Sequence, residues 1–105
     1  MSKSSYHGIQ TWKNPIDFLI YQEIIIELKP DFIIEIGLHQ GGSSLALAHL
    51  LDRNHNGKLL GIDLSLSKIN KQVLAHPRVN LMEGNPLYHF QSIKALIPKE
   101  SIVMV

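Results

Sequence analysis

The sequence predicts an α/β protein built on a partial doubly wound parallel sheet, strand order 3-2-1-4, with flanking helices. Three observations carry that prediction. Short β-branched runs alternate with helix-length segments, the first run ends in a glycine-rich elbow, and the second ends in an acid. Alternating units of this kind call for parallel strands with helices on both faces.

Residues 1 to 13 show no periodicity and read as an N-terminal arm; residues 14–105 read as one half-domain that stops after a fourth strand. The first helix starts at Asn14-Pro15-Ile16-Asp17, with Asn14 as N-cap, Pro15 at the first helical position and Asp17 in the positive first turn. Ile16, Ile20, Ile24 and Leu28 recur every four residues and predict its buried face. Lys29 and Pro30 end it. Phe32 to Ile36 is a strand with little alternation, as expected where both faces are covered. Ser43 to about Asp52 is the next helix, and Asn56-Gly57 marks the turn into a second strand, Lys58 to Asp63. A helix follows over Ser67 to Ala75, then a strand over Val79 to Met82. The last helix spans roughly Leu87 to Leu96, and the last strand Ser101 to Val105.

Bulk properties narrow the function. A chain of 105 residues fits one small domain, and 45% hydrophobic with 18% charged residues is a globular composition. A formal charge of +1 gives no footprint for nucleic acid. The absence of cysteine rules out disulfides and thiolate metal sites. No apolar run approaches the ~20 residues of a membrane span, and the start lacks a signal-peptide core, so a cytoplasmic protein is expected.

The elbow "GLHQGGSS", Gly37 to Ser44, is where a ligand would meet a helix N-terminus. A dinucleotide fingerprint needs a middle glycine, and His39 stands there. A Walker A loop needs a lysine, and Ser43 replaces it. S-adenosylmethionine (SAM) has no phosphate and needs neither. It needs a close backbone approach, supplied by Gly37, Gly41 and Gly42, and a strand-end acid for the ribose hydroxyls. Asp63 lies 26 residues past Gly37, somewhat beyond the ~20 of the analogous dinucleotide acid. A SAM site accounts for the elbow best.

The stretches "TWKNPIDFLIYQEIIIELKPDFIIEIG", "GGSSL", "GKLLGID" and "HPRVNLMEG" resemble the N-terminal half of the cephalosporin hydroxylase / rhamnosyl O-methyltransferase family, over nearly the whole chain from Thr11. The resemblance implies a Rossmann-like methyltransferase fold and SAM-dependent O-methyl transfer to a sugar or small natural product. It implies that Glu35, Gly37, Gly41, Gly42 and Ser43 form the first SAM-binding motif, that Asp63 binds the ribose, and that Gly84-Asn85 lies near the adenine. Asn85-Pro86 stands where the family carries small hydroxyl residues. The family also uses a divalent metal, Mg, whose ligands lie past the fourth strand and are absent from this chain. The expectation is a cofactor-binding half, inactive alone, that self-associates or pairs with a complementing C-terminal half. The alternatives are a non-catalytic SAM-binding or interaction module and a nucleotide-dependent oxidoreductase fragment. No catalytic residue is assigned.

Other residues read more plainly. His39 is a solvent-facing loop residue. His49, His55, His76 and His89 lack metal-ligand spacing and read as surface and turn residues. Trp12 and Tyr21 read as packing for the first helix, and Glu23 and Glu27 as a solvated stripe.

Overall fold

A computed structural model describes residues 4–11 and 15–105. It opens with a hairpin, β1 (Ser4–Tyr6) and β2 (Ile9–Thr11), then runs α1 (Pro15–Leu28), β3 (Phe32–Ile36), α2 (Gly42–Asn54) and β4 (Lys58–Asp63). It continues through α3 (Lys71–Ala75), β5 (Val79–Glu83), α4 (Pro86–Leu96) and β6 (Val103–Met104). The four later strands form one parallel sheet in the order β5-β4-β3-β6. Counted within that sheet, the order is the expected 3-2-1-4.

Helices cover both faces. On one, Ile33 and Leu59 pack with Ile25 of α1 and with Leu47 and Leu51 of α2, while Val73 of α3 joins Leu38 and Leu45 beside them. On the other, Leu60 and Ile62 pack with Ile93 of α4. Strand residues of alternate parity feed the two layers, the period-two rule of a pleated strand. α2 is the central helix, with eight buried residues between Gly42 and Leu51. It ends at His55, in the left-handed conformation, whose N–H donates to the Asp52 carbonyl.

The structure corrects the sequence reading at four places. The supposed arm carries the β1–β2 hairpin, turned by His7 (φ 51°) and Gly8 (φ 79°). Two successive positive φ values are what a two-residue hairpin turn needs. Asn14, the expected cap of α1, lies outside the described residues, as does Trp12.

The buried face of α1 is also different. Ile16, Ile20, Ile24 and Leu28 are 40–64% exposed. The half-buried and buried positions are Phe18, Tyr21, Gln22 and Ile25. Steps of three and four hold a stripe in place on a helix of 3.6 residues per turn, whereas a strict four-residue step drifts around it. α1 is apolar nearly all round, so pattern alone does not choose the face.

α3 begins only at Lys71, because the Asn70 side chain caps it, accepting from Gln72 N–H at 2.9 Å. The preceding serines are taken by turns, with Ser67 N–H donating to Ser65 Oγ at 3.3 Å. β6 is two residues long, paired as Phe32↔Val103 and Ile33↔Met104. Asp31 ends the pairing at its start, accepting from Ile102 N–H at 2.9 Å.

Candidate functional site

The C-terminal ends of β3, β4 and β5 lie side by side, and each brings in a candidate residue: β3 runs into Gly37, β4 ends in Asp63 and β5 runs into Gly84. The backbone ties them together, with Gly37 N–H on the Ile62 carbonyl at 2.9 Å and Gly84 N–H on the Asp63 carbonyl at 2.8 Å. In open α/β sheets this crevice outside the strand ends is where ligands bind. The elbow from Gly37 to Gly41 crosses it to the start of α2.

The two acids beside the elbow have different partners. Glu35, 6% exposed, points toward α2. It accepts from Ser43 Oγ at 2.6 Å and from Ser44 Oγ in a shorter contact. Both its oxygens are therefore engaged by the first turn of α2. Asp63 sits at the rim. Its Oδ2 accepts from the N–H of Leu38 at 2.7 Å and of His39 at 3.3 Å, and its Oδ1 from Ser65 N–H at 3.3 Å. The Leu38 amide, helped by those of Ser65, His39 and Leu64 against a smaller effect of burial, holds the Asp63 carboxyl below the usual carboxylate range. Asp63 is thus an anion that fixes the elbow's shape.

The glycines also divide. At Gly37 (φ 82°), which follows the end of β3, a Cβ would meet nothing within 4 Å, so that side is open. At Gly41 (φ 90°) a Cβ would stand 2.8 Å from Val73 Cγ2, so packing against α3 explains that glycine. Gly42 and Ser43 are buried in the first turn of α2. A Cβ at Gly84 would lie 2.6 Å from His89 Nε2, the ring nitrogen that contacts the Glu83 carbonyl at 3.1 Å. Asn85 caps α4, its side chain accepting from Leu87 N–H at 2.9 Å, with Pro86 following in the first turn. The Asn-Pro pair that departs from the family pattern is therefore a helix start.

Three residues of this region escaped the sequence reading. Ser44 shares Glu35 with Ser43. Glu83 Oε1 accepts from Leu66 N–H at 3.0 Å and steadies the loop after β4. Leu38, 2% exposed, folds inward from the elbow onto Gly61, where a Cβ would come 2.9 Å from its Cδ2. A signal was present in each case: a second serine at a helix start, a strand-end acid, and a lone glycine inside a strand. His39 is exposed, with φ 52°, as expected of a loop residue. Tyr21 packs against the Ile25–Ile33 cluster. His49 and His76 depart from the expected surface role; they lie half-buried around Asp52 on the far part of α2. Among the described residues no helix is long and apolar enough to cross a membrane.

A parallel sheet of order 3-2-1-4 with helices on both faces, a glycine elbow after its first strand and an acid at the end of its second defines a Rossmann-like α/β fold. The sequence profile of the family described as rhamnosyl O-methyltransferase/CmcI matches residues 1–103, and the chain belongs to that family. Rhamnosyl O-methyltransferases of Mycobacterium tuberculosis and Mycobacterium bovis are 33% identical to it over 85 residues, 80% of this chain and 35% of theirs. The Mycobacterium leprae enzyme of that name is 40% identical over 65 residues, 59% of this chain and 28% of its own. A structure of CmcI with Mg and SAM superposes with a TM-score of 0.78 at 25% identity, covering 84% of this chain and 39% of that one. CmcI with SAH gives 0.73 at 25% identity over 78% and 43%. The chain thus spans roughly a third of the length of the curated relatives it matches.

Proposed function

We propose that residues 14–105 form the SAM-binding part of an O-methyltransferase whose acceptor is a hydroxyl on a sugar or small natural product. The observation that carries this is the placement of Asp63 and Gly37 at the ends of adjacent parallel strands: a carboxylate that accepts from the elbow's amides, beside a glycine whose Cβ position is open. Asp63 Oδ1 takes a long contact from Ser65 N–H at 3.3 Å, and a carboxylate offers about four lone-pair sites. Room remains for both ribose hydroxyls. Gly37 admits the methionine portion, Gly42 and Ser43 present the N-terminus of α2, and Gly84-Asn85 borders the adenine. Glu35 acts on the cofactor indirectly, by fixing the start of α2 through Ser43 and Ser44. SAM supplies an already activated methyl group, so the protein's task is alignment and acceptor deprotonation. This chain's residues serve the alignment. The acids at the elbow do not fit a metal: Asp63 and Glu83 are both engaged by backbone amides.

Association accompanies this reading. Ile16, Leu19 and Ile20 on α1 are 53–64% exposed, and Val105 beside β6 is 87% exposed. Apolar surface of that kind and an uncharged sheet edge favour pairing with a second copy or a complementing segment. Isothermal calorimetry with SAM, NAD and ATP side by side tests the cofactor, with sedimentation read on the same sample. SAM alone should bind. Binding of NAD in preference to SAM would sink the methyltransferase reading.

A further inference from the structure

Two contacts stand out among those that hold the N-terminal hairpin to the fold. Ile9, 1% exposed, enters the cluster of Leu38, Leu45, Ile69 and Val73. The Tyr6 hydroxyl lies 2.7 Å from His49 Nδ1 on α2. A cavity of about 360 Å³, bounded by Tyr6, Thr11, Phe18, Gln22, His49 and Arg53, separates part of the hairpin from α1 and α2. The Tyr6–His49 contact stands at the edge of that cavity, where the hairpin can respond to the charge on His49.

Three imidazoles meet at that contact. The His49 ring lies 5.1 Å from that of His7 in the hairpin turn and 5.6 Å from that of His76. Arg53 lines the same cavity as His49. The nearby carboxylate, Asp52, is already engaged by Arg78 Nε at 2.6 Å and His76 Nε2 at 2.8 Å. His49, Asp52 and His76 bring potential ligand atoms within 4.8 Å of one another, but their hydrogen bonds oppose a metal. Arg78 N–H donates to His76 Nδ1 at 3.1 Å, so the ring's proton sits on Nε2 and points at Asp52. A metal at Nε2 would drive that proton onto Nδ1, facing the Arg78 N–H donor to donor.

We propose that this cluster makes the hairpin a pH-sensitive strap, docked at neutral pH and released as His49 becomes charged. Burial, then His7, then His76 lower the His49 pKa, with Asp52 opposing, so the docked state favours the neutral ring. The sign follows. An undocked histidine titrates near ~6.5, so docking is at full strength above that pH and weakens as pH falls below it. The Tyr6 hydrogen bond is not the sensor, because a hydroxyl donates to neutral Nδ1 and accepts from the protonated one. Ile9 packs with Leu38, whose amide holds Asp63, so release loosens the elbow. That last consequence rests on the SAM reading; release itself does not.

Methyl NOEs between Ile9 and Leu38 in the 105-residue chain, at pH ~7.5 and ~5 across the histidine range, read docking directly. They should fall several-fold in the wild type and persist in His49→Gln. His7→Asn, at a left-handed position that asparagine accepts, should move the midpoint to lower pH. It decides the matter if His49→Gln fails to dock. Tyr6→Phe should weaken docking equally at both pH values. Wild-type NOEs unchanged over the range, or a fall that survives the histidine substitutions, overturns the proposal. SAM titrations at the two pH values then separate the claims. Release with no SAM binding at either pH removes the cofactor reading and leaves the strap standing.

Discussion

Glu35 and Asp63 stand near the ends of adjacent strands, with Glu35 of β3 opposite Gly61 of β4 and Asp63 two residues further along. The fold uses them in opposite ways. Glu35 is sealed under α2 and meets side-chain hydroxyls; Asp63 is at the rim and meets backbone amides. At 6% exposure Glu35 offers little surface to a ligand, whatever lone pairs its two hydroxyl donors leave. Amide donors from a loop engage mainly one oxygen and leave the other toward the crevice. One acid builds the elbow; the other shapes it and, on the proposed reading, is the one that meets the cofactor.

The largest effect should come from the buried acid. Glu35→Ala orphans two buried hydroxyls at about 1–3 kcal/mol each, less whatever the serines recover from nearby carbonyls. A loss of about 2–5 kcal/mol is expected, a large part of the ~5–15 kcal/mol that holds a domain together. Urea unfolding should show a lower midpoint with an unchanged slope. A midpoint within error of wild type would mean that Glu35 is not the anchor of α2.

The glycines repeat the contrast on a smaller scale. Gly37→Ala meets open space but keeps a positive φ, at a cost of roughly 1–2 kcal/mol. Gly41→Ala carries the same backbone cost and also meets Val73 at 2.8 Å. Thermal melts should therefore rank Gly41→Ala as the less stable variant. SAM calorimetry should show the greater loss of affinity, relative to stability, in Gly37→Ala. The reverse ranking in both measurements would place the open side of the crevice elsewhere.

The same contrast explains what was legible in the sequence. The strands, the elbow and Asp63 could be read because each depends on local residue types: β-branched runs, glycines and a strand-end acid. The hairpin could not, since His7-Gly8 joins strands of only three residues and its stability comes from Ile9 packing on the elbow. The face of α1 could not, because a helix apolar on most sides is oriented by its neighbours. Within the site, the pairing of Glu35 with Ser43 and Ser44 and the packing of Leu38 on Gly61 are decided only when β3, α2 and β4 meet in space.

The smallest effect on stability, and the most informative for function, belongs to Asp63. Its carboxyl is held below the usual range chiefly by the Leu38 amide. The sign for such an acid is definite: the stabilisation is complete above about pH 4, the unfolded value, and is lost as pH falls through the lower folded one. Near neutral pH, Asp63→Ala removes contacts at a partly exposed rim, where screening by solvent limits the loss to about 1 kcal/mol. Its effect on SAM should be larger. Two charge-assisted bonds to ribose hydroxyls are worth about 1.5–3 kcal/mol each, and the loss of both should weaken binding roughly a hundredfold to ten-thousandfold. Asp63→Asn sharpens the test, since it retains one acceptor oxygen but loses the charge, and should fall between wild type and alanine. Unchanged SAM affinity in a folded Asp63→Ala variant would assign Asp63 to the elbow alone, and the distinction between the two acids would then be one of depth in the fold, not of role.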